Sequence, residues 1–237
     1  MTLSSDLREA LAKVGTSTLT GVLNRRGLRS MTLFDVWPLR PEQPRMVGVA
    51  FTMRFIPSRE DMDGPGSKNR SAVQPQAMEE CPPGHVLMID SRGDSRAASA
   101  GDLYVGRLKA RGAAGVVTDG GFRDSHDIAQ ISMPAFHQRP AAPTNLTLHQ
   151  ALEFNVPIGC GDAPVWPGDV IVGDHDGVVV IPAHLADELA NECTEMTAFE
   201  DFVLEEVNNG RSILGLYPAT DEKTKTDFAA WRKTKGR

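Results

Sequence analysis

At 237 residues, 41% of them hydrophobic, the chain is long enough to bury a sizeable core. A formal charge of −6 argues against non-specific nucleic-acid binding, and no run of about 18 apolar residues marks a membrane span. Cys81, Cys160 and Cys193 are few, odd in number and far apart, which fits reduced thiols in a cytoplasmic protein; the charged N-terminus has no apolar core of signal-peptide length.

Leu3, Leu7, Ala10, Leu11 and Val14 recur at spacings of three and four, an amphipathic helix stopped by Gly15. Thr16 or Ser17 can cap a second helix that ends at Gly27. Met46 to Ile56 reads as a long strand broken by Pro57. The charged loop after it carries Gly64-Pro65-Gly66 and reads either as solvated surface or as a lid from which Arg59, Lys68 or Arg70 could reach a substrate carboxylate.

Ser71 to Glu80 can be helical despite Pro75, and His85 to Asp90 is a strand. A polar loop holding Arg92 and Arg96 leads through small residues to Gly101. Ile131 to His137 reads as an edge strand because Pro134 lies inside it, and Val156 to Gly161 as a further strand. Val170 to Val172 and Gly177 to Ile181 form a hairpin. Ala183 to Asn208 is a long amphipathic helix, and a last helix runs from about Asp221 to Trp231 before a solvated basic tail.

The stretch from Gly101 to Asp127 carries the chemistry. After Gly101-Asp102-Leu103-Tyr104 comes a helical segment, and then a buried strand closed by Gly120-Gly121 before Arg123-Asp124. A helix of about 11 residues and a strand of about five are both roughly 17 Å long, so a helix running out and a strand running back cancel. Arg123 and Asp124 are therefore expected beside Asp102. The free N–H groups of Leu103 and Tyr104 in a first helical turn suit an anion, and the guanidinium of Arg123 suits a carboxylate. Asp124, Asp102 and Asp127 offer hard oxygens for Mg²⁺ or Mn²⁺. From position alone, Asp102 could equally be a helix cap, Arg123-Asp124 a surface ion pair and His126 an exposed side chain.

Asp102, Arg123-Asp124 and Asp127 at this spacing resemble the signature of the aldolase branch of the RraA-like family, the 4-hydroxy-4-methyl-2-oxoglutarate / 4-carboxy-4-hydroxy-2-oxoadipate aldolases. Pro167-Gly168-Asp169-Val170 with Gly173 to Pro182, and Pro83-Gly84-His85-Val86-Leu87, are similar to two further segments of that family, extending the resemblance to about two thirds of the chain. The resemblance implies an α/β fold, a β/β/α swivelling-domain sandwich with N- and C-terminal helices packed outside. On this reading residues 1–237 form a single domain, with N-terminal helices over 1–27, a core over 46–182 and C-terminal helices over 183–237. It also implies a homotrimer or dimer of trimers with sites between subunits, to which Glu195, Glu200 or Glu205 of a neighbour could contribute.

The implied activity is a divalent-metal-dependent (class II) aldolase that cleaves a small 4-hydroxy-2-oxo acid to pyruvate, with oxaloacetate decarboxylation as a side activity. Arg123 and Asp102 are the catalytic candidates. Gly101, Asp102, Leu103, Tyr104 and Arg123 are the substrate-binding ones; Asp124 directly, Asp102 through a water and Asp127 are the metal ligands. Lys109, two turns down the helix, points away from the pocket, so a Schiff base is not expected. The alternatives are a non-catalytic regulator binding RNase E or another protein, and a 2-oxo acid dehydratase or decarboxylase on the same site. Asp169, Asp174 and Asp176 read as turn residues, and the histidines lack zinc-ligand spacing.

Overall fold

The computed structural model describes residues 2–63 and 72–236. Helices α1 (Ser5–Ala12) and α2 (Thr16–Arg25) precede strands β1 (Trp37–Pro38) and β2 (Met46–Pro57). Next come α3 (Glu60–Asp63), α4 (Val73–Glu80), β3 (His85–Asp90), β4 (Ala98–Ala100), α5 (Asp102–Ala110), β5 (Gly115–Thr118) and β6 (Gly121–Phe122). After α6 (Ser125–Gln130) come β7 (Ala135–His137), β8 (Arg139–Pro140), β9 (His149–Phe154), β10 (Ile158–Cys160) and β11 (Ala163–Val165). The hairpin β12 (Val170–Asp174) and β13 (Gly177–Ile181) leads to α7 (Ala186–Asn208) and α8 (Glu222–Lys235).

Seven strands follow the order β1-β7-β5-β3-β2-β12-β13, with β9 also pairing to β2. The centre, β2, β3, β5 and β7, is parallel, and the remaining pairings are antiparallel. Thr32 bridges to Val179 on β13, while Trp37 pairs with His137 on β7. One short stretch of chain therefore joins both ends of the order and curls the sheet into a nearly closed barrel.

Side-chain alternation explains the unbroken apolar runs. Along β3, Val86 and Met88 join Phe136, Ile171 and Val180 on one face, whereas Leu87 and Ile89 join Val105, Leu108 and Phe122 on the other. A strand buried on both faces needs no polar positions, and each fully buried aliphatic side chain contributes roughly 1.5–3 kcal/mol. On the β12–β13 side, α1, α2 and α7 cover the sheet through Leu11, Leu19, Leu23 and Leu189. Asp174 fixes α2 by accepting from the Thr16 N–H (2.9 Å) and hydroxyl (2.6 Å). Asp169 accepts from the N–H groups of Trp166 and Ala183, and Asp174 also accepts from Asp176 N–H in its own turn, so beyond the turn role expected of these acids Asp174 ties down a helix distant in sequence.

Several expectations are corrected. The strand at Pro134 begins only at Ala135, and β1 pairs outside it, so it is not the edge; Pro134 precedes it and its carbonyl accepts from Val116 N–H at 3.1 Å. Val156 to Gly161 shrinks to β10, which pairs with β11 in its own small sheet. The helix at Asp221 runs on to Lys235, with Asp221 as its cap. Strand β9, which no sequence signal marks, adds to β2 ahead of β10. Arg59 pairs with Asp61, while Lys68 and Arg70, the other proposed lid residues, lie outside the described residues.

Candidate functional site

A second, three-stranded parallel sheet, β4-β6-β8, builds the site. Ala98 lies opposite Gly121 and Ala100 opposite Phe122, and Arg123 N–H donates to the Ala100 carbonyl at 3.1 Å. The strand end bearing Arg123 and Asp124 is thereby laid beside the residue that starts α5. Gly120 permits this approach, since a Cβ there would stand 2.6 Å from Ser99 Oγ. Beneath it, Ser91, Ser99 and Thr118 join their buried hydroxyls at 2.6–3.1 Å.

Gly101, not Asp102, is the N-cap of α5, and no side chain caps the helix. The cap reading of Asp102 is thus replaced by a first-turn acid, and the N–H groups of the first turn, those of Leu103 and Tyr104 included, have no capping side chain. Asp124 sits in the left-handed region (φ 52°), which Asp tolerates better than most residues, and its carbonyl accepts from the N–H groups of Asp127 and Ile128 to begin α6. Arg123 Nε donates to Asp124 Oδ2 at 3.0 Å. Among the described residues, Asp124 Oδ1 accepts no hydrogen bond.

These groups line one open cleft of about 610 Å³ that contains Gly101, Asp102, Leu103, Tyr104, Arg123, Asp124 and Asp127. All seven sequence candidates are thus brought together. His126 is exposed and Lys109 lies on the exposed side of α5, neither of them lining the cleft. Sequence reasoning missed the remaining wall, where Gln74, Thr144 and Asn145 face the cleft from α4 and from the loop before β9. No local pattern marks them, because they meet only through tertiary packing. Arg92 turns instead to Leu148 and His149, and Arg96 pairs with Asp94. Within its own chain, Glu195 pairs with Arg232, Glu200 accepts from Thr18 and Glu205 from Trp231.

Among the described residues no three His, Cys, Asp or Glu side chains form a metal cluster. The donor set at the cleft suits a hard cation that keeps most of its waters and takes one or two carboxylates, with Asp124 Oδ1 as the open oxygen. It does not suit zinc.

Residues 6–180 match the family described as "RraA-like: Aldolase/RraA". The chain belongs to the RraA-like family. Among curated relatives, a protein of Halalkalibacterium halodurans named "Putative 4-hydroxy-4-methyl-2-oxoglutarate aldolase" is 43% identical over 107 residues, 45% of this chain and 50% of that protein. One of the same name from Ectopseudomonas mendocina is 30% identical over 103 residues, 44% of this chain and 63% of that protein. The match thus spans about half to two thirds of the length of these relatives. Among solved structures, Streptomyces coelicolor RraAS2, titled an unusual member of the RNase ES inhibitor RraA protein family, superposes with a TM-score of 0.77 at 27% identity, over 85% of this chain and 97% of that one. The RraA fold is therefore shared, and α7 and α8 lie beyond the segment that matches the family.

Proposed function

We propose that this RraA-like chain is a divalent-metal-dependent aldolase that cleaves a 4-hydroxy-2-oxo acid to pyruvate. The observation that carries the reading is the gathering of Arg123, Asp124, Asp102 and the uncapped start of α5 in one cleft. Asp124 would hold Mg²⁺ or Mn²⁺, which supplies Lewis-acid stabilisation of the enolate left when the C3–C4 bond breaks. Arg123, pinned through Nε, keeps its terminal nitrogens for the keto-acid end and for the negative charge that develops there. The first-turn N–H groups of Leu103 and Tyr104 hold the carboxylate. Asp102 moves the 4-hydroxyl proton through a water molecule. Asp127 lines the same cleft and serves as a further acid near the cation.

Oxaloacetate yields the same pyruvate enolate on losing CO₂, so decarboxylation belongs to the same site. We read the chain as one cytoplasmic domain that assembles as a homotrimer or dimer of trimers, in which Leu103, 83% exposed on the cleft lining, is one apolar side chain available to a second copy. The described residues include no helix long and apolar enough to cross a membrane. The likeness to an RNase inhibitor family supports a second reading, a protein-binding regulator. Pyruvate release from oxaloacetate and from 4-hydroxy-4-methyl-2-oxoglutarate decides between them. The aldolase reading expects release with Mg²⁺, none with EDTA and none from Asp124→Ala; equal rates in all three would overturn it.

A further inference from the structure

The part of the cleft lined by Gln74, Thr144 and Asn145 has a fixed hydrogen-bonding polarity. Gln74 Nε2 donates to the Ser99 carbonyl at 2.7 Å, and a backbone carbonyl can only accept, so the orientation of the Gln74 amide is set. Its Oε1 therefore accepts from Asn145 Nδ2 at 2.7 Å, and Asn145 Oδ1 in turn accepts from the Thr144 hydroxyl at 3.0 Å. Gln74 is buried, which anchors the chain of amides to β4. Each amide N has a second hydrogen and each oxygen a second lone pair. The wall thus presents neutral donors and acceptors side by side.

The charges on the described lining are Asp102, Asp124 and Asp127 against the single cation Arg123. One bound divalent cation brings that described set to neutrality, and the 2-oxo carboxylate then leaves one negative charge in excess. A further carboxylate at the distal end of the substrate would add a second uncompensated negative charge among the described lining and would leave the acceptors of this wall without a donor. A hydroxyl, which both donates and accepts, matches them.

From this wall we propose a substrate class for the aldolase reading, on which the inference rests: a 4-hydroxy-2-oxo monocarboxylate whose distal segment is neutral and hydroxylated. Gln74, Thr144 and Asn145 read its hydroxyl groups. Cleavage breaks C3–C4; the 4-hydroxyl loses its proton as C4 becomes an aldehyde, and the electron pair passes to the pyruvate enolate, which is reprotonated at C3. No oxidant or reductant is needed.

The test uses full-length protein with Mg²⁺ and three probes: pyruvate in D₂O, 4,5,6-trihydroxy-2-oxohexanoate, and 4-hydroxy-4-methyl-2-oxoglutarate. Exchange of the pyruvate methyl protons reports the enolate half alone. The expected result is exchange together with kcat/KM at least about tenfold higher for the trihydroxy acid than for the dicarboxylate, because sites built for hydroxyls discriminate strongly. Asn145→Ala and Thr144→Val should each raise KM for the trihydroxy acid several-fold with kcat nearly kept, and Asn145→Arg should move the preference toward the dicarboxylate. Exchange with preference for the dicarboxylate, or variants that leave KM unmoved, overturns the inference and leaves the aldolase reading standing. Absence of both exchange and cleavage overturns the aldolase reading and this inference with it.

Discussion

A Cβ placed on Gly101 would lie 2.8 Å from Asp124 Oδ2 and 2.9 Å from Arg123 Cγ. The φ of Gly101 is −124°, open to any residue, so the requirement is for space and not for backbone freedom. Because the atoms that would yield are side-chain atoms, the fold survives while the ion pair moves. Gly101→Ala is therefore expected to lower kcat/KM for pyruvate formation by about tenfold or more, since displacements of about 1 Å cost that much. The free energy of unfolding should change by less than about 1 kcal/mol. Full activity in this variant would show that the close approach has no part in the chemistry.

Arg123→Lys separates charge from geometry. A lysine keeps the positive charge but cannot hold Asp124 Oδ2 through one nitrogen while offering a planar pair to the substrate. Loss of a charge-assisted hydrogen bond is worth roughly 1.5–3 kcal/mol, or about 10- to 100-fold in kcat/KM. Steady-state kinetics at saturating Mg²⁺, with circular dichroism to confirm folding, measure it.

The sequence made the two ends of the site legible for a physical reason. An α-helix and the buried strand after it each have a known rise, so the return of Arg123 to Asp102 follows from lengths alone. The hairpin β12–β13 and the long helix α7 were legible through period and turn chemistry. Strands β4, β6 and β8 were not, because two- and three-residue strands of small residues have no period to detect. Strand β9, His149–Phe154, carries a Gln and a Glu among its apolar residues and follows a proline-rich loop, so its pairing with β2 is decided by tertiary contact. Gln74 and Asn145 escaped notice for the same reason.

Two buried groups oppose each other as pH changes. Burial lifts the Asp119 carboxyl to about 6 and nearby Asp90 adds to this, against the N–H donors of Ser91, Gly161 and Gly93. The folded state then holds this proton more tightly than the unfolded chain, so the stability contributed is full at low pH and lost as pH rises through about 6. His137, stacked on Phe122 and with Nδ1 unpartnered among the described residues, is lowered to about 4 by burial. Its contribution is present above the unfolded value near 6.5 and lost as pH falls toward 4. Each shift is worth roughly 3 kcal/mol, so in the parent protein they offset. Relative to the parent, His137→Phe should gain about 2 kcal/mol of unfolding free energy between pH 7 and pH 4, and Asp119→Asn should lose about as much. Urea unfolding at the two pH values tests both, and parallel pH profiles for all three proteins would contradict the assignment.

The thiols make the last prediction. Cys81, Cys160 and Cys193 are all buried. Burial pushes the Cys81 and Cys193 thiols up to about 12 and raises Cys160 well above its ordinary range, with Asp119 and Asp90 adding to the effect at Cys160. Only the thiolate attacks a disulfide reagent, so at neutral pH the reactive fraction in the folded state is about 1,000-fold below that of an exposed cysteine. A colorimetric disulfide reagent should find no fast-reacting thiol in the native protein. After denaturation in guanidinium it should find three, and labelling without denaturant should proceed only at the rate at which the core opens. Stoichiometric labelling of one thiol within seconds in native buffer would mean that at least one of these side chains is accessible and ionisable, contrary to its burial.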